Sequence, residues 1–165
     1  MTGGNIYTVG LNSATITLLN AGGVTVSGSN DTITASGATR LTVTGTSDVL
    51  TANTGAVVTL GGAGNSLSLF DGTAILSASA QVTITGNDSV ISSGAHDTLT
   101  LTGNGNTVGL TSGTIILGDA MVTTISGNGD TIQGGSNDTL TLTAGTNTVN
   151  LSNGNIIASS GFSTS

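Results

Sequence analysis

Short stretches of alternating polar and apolar residues recur along the whole chain, and their apolar centres fall into two interleaved series. One series runs Ile16, Ile33, Leu50 and Leu67, and the other runs Val24, Leu41, Val58 and Ile75; the steps within both are all equal. The pattern loosens but continues through Leu99, Ile116, Ile132 and Val149 in the first series. In the second it continues through Val90, Val108, Ile125, Leu140 and Ile157. Alternation with period two marks a strand with one buried face. A strand–turn unit this short cannot bury its apolar centre alone, so units must stack on their neighbours. The segment Gln81 to Thr85 is out of phase and leaves either Val82 or Ile84 as its centre.

The gaps between successive centres alternate between eight and nine residues, which predicts two strands per coil. A three-sided coil of about 25 residues fits the arm lengths as well. Residue identity favours two faces. Asp31, Asp48, Asn65, Asp97, Asp130 and Asn147 stand two residues before centres of the first series, whereas the second begins with Thr39, Ala56 and Thr73 there. The expected fold is therefore all-β: a parallel β-solenoid (β-roll or β-helix) of about 17 residues per two-strand coil, with roughly nine coils and no helical caps. At ~4.8 Å per strand the rod is roughly 40 Å long. It forms one domain over residues 1–165, with repeats from about 5 to 158 and a short tail at 159–165.

Charge narrows the function classes. Arg40 is the one basic side chain and His96 the one histidine; all eight acids are aspartate and the net charge is −7. Nucleic acid and anionic membrane surfaces both recruit Lys and Arg, so neither is an expected partner. Only 5% of residues are charged, which is unlike an acidic disordered chain. No run of apolar residues is long enough for membrane insertion, and Met1-Thr2-Gly3-Gly4 lacks the basic and apolar regions of a signal peptide. Cysteine is absent, so there is no disulfide and no thiolate metal site. His96-Asp97 has no nucleophile elbow near it. The chain is expected not to be an enzyme and to need no cofactor. Asn30, Asn87 and Asn137 open Asn-Asp-Ser/Thr sequons that read as turns.

Three stretches carry a resemblance: Gly61-Gly62-Ala63-Gly64-Asn65-Ser66-Leu67, Ser126-Gly127-Asn128-Gly129-Asp130-Thr131-Ile132 and Gly134-Gly135-Ser136-Asn137-Asp138-Thr139-Leu140. They resemble the nonapeptide turns of the repeats-in-toxin β-roll proteins, G-G-x-G-x-D-x-U-x. Similar strand repeats occur in secreted bacterial adhesins and surface proteins. The resemblance implies a β-roll and weak Ca²⁺ binding at Asp31, Asp48, Asp97, Asp130 and Asp138. The chain departs from that pattern: arms are eight or nine residues long, and Asn65 stands where an aspartate would bind metal. Turn formation accounts for the Asp/Asn column without a metal.

If each apolar centre of the first series points inward, its neighbours point outward. The outward pairs are Thr15 with Thr17, Thr32 with Thr34, Val49 with Thr51, Ser66 with Ser68 and Thr83 with Thr85. They continue as Thr98 with Thr100, Ile115 with Leu117, Thr131 with Gln133 and Thr148 with Asn150. This array resembles the Thr-x-Thr lattice of ice-binding solenoids, with Ile115 and Leu117 interrupting it. On the second face Val57, Leu76, Ile91 and Ile156 are expected outward. Exposed aliphatics and a surface without lysine favour association. The expected function is a self-associating extracellular or cell-surface structural protein, stacking end to end into fibres or a biofilm matrix. Its junctions would lie at Ile16 near one end and Val149 and Ile157 near the other. The alternatives are an ice-binding protein, or a calcium-binding spacer or adhesin fragment; ice or a polysaccharide surface would then be the partner.

Overall fold

Thr, Val, Ile and Leu fill the segments between Gly-, Asn-, Asp- and Ser-rich turns, a composition that suits pleated strands. The computed structural model describes residues 6–19 and 22–159; among them are nineteen strands and no helix. The strands are β1 (Ile6–Val9), β2 (Thr15–Leu19), β3 (Gly23–Val26), β4 (Thr32–Ser36), β5 (Arg40–Val43), β6 (Val49–Ala52), β7 (Val57–Leu60), β8 (Ala63–Leu69), β9 (Thr73–Leu76) and β10 (Gln81–Thr85). They continue as β11 (Val90–Ala95), β12 (Thr98–Thr102), β13 (Asn106–Thr111), β14 (Thr114–Leu117), β15 (Val122–Ile125), β16 (Thr131–Gln133), β17 (Ser136–Leu142), β18 (Thr148–Asn150) and β19 (Asn153–Ala158).

Odd-numbered strands form one sheet of ten, and even-numbered strands form a second sheet of nine. Each strand therefore pairs with the strand two places on in the chain, and all pairings are parallel, as in β2 with β4 and β3 with β5. The chain runs along one sheet, turns, runs back along the other and advances one rung. This is a parallel β-solenoid of about nine two-strand turns, so the coil has two faces and not three. The register sets Ile16, Ile33, Leu50, Leu67, Ile84 and Leu101 in one inward column. Leu41 and Val58 face them from the other sheet. Most strands in the rod interior alternate exposed and buried residues, and the core is a thin aliphatic seam between the sheets.

Four positions of the expected inner series are turned outward. Ile75, Val90, Ile116 and Ile157 are 39%, 51%, 36% and 51% exposed. Their neighbours Ala74, Ile91 and Ile115 are buried instead, and Ile156 pairs with the core residue Leu140 at the sheet edge. The cause is coil length. Val57 pairs with Thr73, Thr98 with Thr114 and Thr141 with Ile157, so three turns are one residue shorter than the regular coil. A one-residue slip exchanges the two faces of a strand. The same slip overturns the expectation that Leu76, Ile91, Ile115 and Leu117 face outward, for all four are buried.

The out-of-phase segment also resolves. Both Val82 and Ile84 point inward: Ile84 lies beneath Leu67, and Val82 lies over Leu99. The register shifts between Gln81 and Val82, so β10 carries the upper inner column on Ile84 and opens a second column two residues earlier.

Core position decides the size of a truncation effect. Leu67→Ala, in a fully buried side chain at mid-rod, should lower stability by about 2–5 kcal/mol. Val49→Ala, on the outer face of the adjacent strand, should fall within about 0.5 kcal/mol of wild type. Chemical denaturation followed by circular dichroism measures both; equal effects would contradict the two-face assignment.

Candidate functional site

Two ordered features stand out: a ladder of polar side chains inside the corners, and a field of hydroxyls on the even-numbered sheet.

The corners are built the same way in successive coils. Ser13, Asn30, Ser47, Ser79, His96 and Ser112 at one corner, and Asp71, Asp88 and Asn137 at the other, have positive φ. Small polar residues tolerate this left-handed conformation, which reverses the chain toward the next strand. His96, expected as a turn residue, is one of these and is exposed. Gly64, Gly105 and Gly129 take the same conformation before Asn65, Asn106 and Asp130. The Asp or Asn that follows Asn30, Ser47, Gly64, His96, Gly105, Gly129 or Asn137 turns its side chain inward. Asp31, Asp48, Asn65, Asp97, Asn106, Asp130 and Asp138 are each at most 1% exposed.

These side chains tie each coil to the one before. The N–H of Ala14 donates to Asp31 Oδ1, that of Asp31 to Asp48 Oδ1 and that of Asp48 to Asn65 Oδ1, each at 2.8 Å. The same bond recurs from Ala80 to Asp97, Gly113 to Asp130, Asp130 to Asn147, Ser89 to Asn106 and Met121 to Asp138, at 2.7–3.0 Å. In every case the partners stand one coil apart in the chain. Oδ1 thus takes up backbone donors that the corner would otherwise leave unpaired in the interior. Glycine precedes many rungs by three residues, as at Gly28, Gly45 and Gly127. A Cβ at Gly45 would collide with the Gly28 carbonyl oxygen and crowd Asp48 Oδ2.

The other side-chain atom divides the rungs. Asn65 Nδ2 donates to the carbonyls of Gly45 and Gly61, and Asn106 Nδ2 to those of Gly86 and Gly103. Asn147 Nδ2 donates to Gly127 and Ala144. Asp97 Oδ2 receives the hydroxyl of Ser93. Oδ2 of Asp31, Asp48, Asp130 and Asp138 is buried with no hydrogen-bond partner. Burial pushes the Asp48 carboxyl above its usual value; the Asp31 N–H acts against this, and the Asp31 charge adds to it. Burial likewise raises Asp130, partly offset by the Gly113 N–H.

Of the five aspartates expected to hold Ca²⁺, only Asp31 and Asp48 are on adjacent rungs of the ladder. Gly113 separates Asp97 from Asp130, and Asp138 lies at the opposite corner. Among the described residues no three of His, Cys, Asp and Glu gather as a metal-binding group. The ladder is what the Asp/Asn column does; glycine three residues ahead of an Asp or Asn, repeated along the chain, is the signal that marks its rungs.

The hydroxyl field is shorter and more regular than the sequence suggests. Its first column is Thr15, Thr32, Val49, Ser66, Thr83 and Thr100. Its second column, on the same six strands, is Thr17, Thr34, Thr51, Ser68, Thr85 and Thr102. Thr15, Thr17, Thr32, Thr34, Thr51, Thr83 and Thr85 are exposed as expected, whereas Ser66, Ser68, Thr100 and Thr102 are half-buried. Thr102 Oγ1 is 3.0 Å from Thr85 Oγ1; the sequence pattern did not place Thr102 in the array, although it stands one coil beyond Thr85. Thr98, Thr131 and Thr148 are a correction to that array, for they belong to a separate column with Gln81 and Thr114. Below Thr100 the first column passes to Ile116, Gln133 and Asn150, so Ile116, and not Ile115 or Leu117, ends the field. A shallow hollow at the register step is lined by Gly64, Gln81, Val82, Thr83, Thr98 and Thr100.

The expected junction residues lie on terminal strands. Ile16 is in the inner column of β2, Val149 is half-buried in β18, and Ile157 points outward from β19 beside Ile156. Comparison with known proteins returns no matching family model, no matching curated relative and no matching solved structure.

Asn65→Ala should be more damaging than its size implies. It strands the Asp48 N–H and the carbonyls of Gly45 and Gly61, at about 1–3 kcal/mol for each group that finds no water. A thermal melt indistinguishable from wild type would show that the ladder is dispensable. Chelator should leave the melting temperature unchanged, since aliphatic stacking and ladder bonds need no metal; loss of the β signal in chelator, restored by Ca²⁺, would establish a metal-dependent fold.

Proposed function

We propose that the chain is a non-enzymatic structural protein of the extracellular space or cell surface that associates with copies of itself end to end, forming fibres or a matrix. The observation that carries this reading is the character of the four terminal strands. Among the described residues, β1 and β19 close the odd sheet, and β2 and β18 close the even one, each paired on one side only. None contains a charged residue or a proline. Such features normally blunt a free strand edge. Because all strands are parallel, the outer edges at the two ends are complementary rather than alike, and the contact they make is head to tail. A contact of that kind produces open filaments when its rotation does not close a ring.

A second feature bears on thickness. Val57, Thr73 and Val90 follow one another down the outer face of the odd sheet, with Ile75 beside Thr73 on the same face. This short aliphatic patch suits lateral pairing of rods, so fibres of one to a few rods in width are expected.

A second reading rests on the six-strand hydroxyl field. An uncharged lattice of Thr and Ser, broken once by Val49 and spaced by the strand repeat, is a surface on which water can order as in ice. In that case the protein acts as a monomer.

Electron microscopy and sedimentation of the purified protein separate the readings. Filaments that lengthen with concentration are expected. Ile156→Lys, on the inner face of the terminal strand, should stop elongation while retaining the β spectrum, because a charge buried at the junction is costly. Ile157→Lys, on the outer face, should elongate more nearly like wild type. A monomer at all concentrations that facets growing ice crystals would overturn the fibre reading in favour of the hydroxyl field; a monomer that does neither would favour a passive spacer.

A further inference from the structure

The corner ladder contains its own reference. At Asn65, Asn106 and Asn147 the second side-chain atom is an amide nitrogen that donates to two backbone carbonyls, one in the coil before and one at the start of its own corner, at 2.8–3.2 Å. At Asp48 and Asp130 the same slot is filled by Oδ2, buried and without a partner. The equivalent carbonyl is close in both cases. A Cβ built on Gly45 would lie against both the Gly28 carbonyl oxygen and Asp48 Oδ2. One built on Gly127 would lie against both the Leu110 carbonyl oxygen and Asp130 Oδ2. An ionised carboxylate there would set a full negative charge against carbonyl dipoles in a site closed to water, an arrangement that is strongly unfavourable.

We propose that Asp48 and Asp130 are held as neutral carboxylic acids in the folded rod, each donating its proton from Oδ2 to the carbonyl that an asparagine amide would reach. Oδ1 remains the acceptor of the ladder bond from Asp31 N–H or Gly113 N–H. The proton is the occupant that fits. Calcium takes six to eight oxygens at about 2.3–2.6 Å, whereas the slot brings one carboxylate oxygen near the carbonyl of Gly28 or Leu110, the position that an amide donor meets at the asparagine rungs.

The surroundings agree. Burial is the largest influence on both carboxyls and acts to retain the proton. Asp31, on the preceding rung, is the ionisable group that acts on Asp48, and any charge on it acts in the same direction; Asn65 on the following rung is neutral. Asp130 lies between Gly113 and Asn147 and has no ionisable neighbour that offsets its burial.

A sign follows for stability. A carboxyl that holds its proton more tightly in the folded state stabilises the fold fully below its unfolded value, near 3.8. That contribution is lost as pH rises through the higher folded value. The rod is therefore tightest in mild acid and loosens toward alkaline pH, opposite to a protein held by ionised aspartates.

The test compares wild type with the double variant D48N/D130N in chelator across pH 4–8. The wild-type melting temperature should fall with rising pH, on the order of a few degrees per slot, while the variant should lose that slope and melt higher than wild type at pH 8. Infrared spectra of wild type at pH 6 should contain a protonated-carboxyl band that the variant lacks. The proposal is overturned if wild type is destabilised by acid over this range, or if the variant is less stable than wild type at pH 8 or fails to fold, since asparagine should fit the slot better than a carboxylate. It is equally overturned if no protonated-carboxyl band is present at pH 6, or if Ca²⁺ raises the wild-type melting temperature at pH 8, which would place a cation in the slot. None of these outcomes depends on whether the protein forms fibres.

Discussion

Hydrogen bonds that run along the rod axis hold this molecule together, and most of its other features follow from keeping them unbroken. The parallel strand ladders carry them across both faces, and the Asp/Asn side chains carry them through the corners, where the backbone turns and strand pairing stops. In a rod with so thin a core, an unpaired corner amide has no water to turn to and little apolar burial to offset it. The glycines at Gly28 and Gly45 are a consequence: the preceding coil's carbonyl occupies the space where a side chain would be. So are the left-handed residues Asn30 and Ser47, after which Asp31 and Asp48 turn inward and reach the coil before. Each coil leans chiefly on the coils immediately before and after it. Stability is then close to a sum of nearest-neighbour terms.

Much of this was legible in the sequence because two periodicities coincide. The two-residue period identifies strands and the longer coil period identifies turns of the rod, and together they point to the two-faced parallel solenoid and the Asp/Asn column. Legibility failed where several apolar residues stand together. In Ala74-Ile75-Leu76, Val90-Ile91, Ile115-Ile116-Leu117 and Ile156-Ile157, hydrophobicity cannot say which residue points inward. Three shortened turns were enough to reverse the choice. At Gln81–Thr85 the question had two answers, because the register step lets Val82 and Ile84 both face the core. The hydroxyl columns were readable as far as that step: Thr17, Thr34, Thr51 and Ser68 fall where the period puts them, and Thr98 does not. The ladder bonds were beyond reach for a different reason. That Oδ1 of one coil accepts from the backbone of the coil before it depends on the left-handed residue preceding each rung, a property of backbone shape that residue type only weakly specifies.

The two sheets present different surfaces for a related reason. On the even sheet the register keeps hydroxyls above hydroxyls for six strands, and Val49 is the one large apolar side chain within that field. On the odd sheet the first shortened turn comes at Val57 to Thr73, and from there Ile75 and Val90 point outward. The regular face and the aliphatic face are thus products of the same constraint. Where coils are uniform, threonine columns persist; where a coil loses a residue, aliphatic side chains turn toward solvent, as Ile75 and Val90 do on the odd sheet and Ile116 on the even one. With one arginine and no lysine in the whole chain, little on either face opposes association.

The choice between aspartate and asparagine at each rung now has physical content. An asparagine rung meets its two carbonyls without help and at any pH. Asn65 stands at the register step, the place where the coil frame shifts and a weak rung would cost most, and Asn147 is the last rung before the terminal strand. Asp48 and Asp130 have ladder bonds to the coils on both sides, whereas Asp138 stands at a register step of its own. Asp97 is the instructive intermediate, since Ser93 supplies the donor that its second oxygen lacks elsewhere. A rod with both kinds of rung keeps the amide bonds of Asn65, Asn106 and Asn147 at every pH. What pH changes is how tightly the coils are held at Asp48 and Asp130.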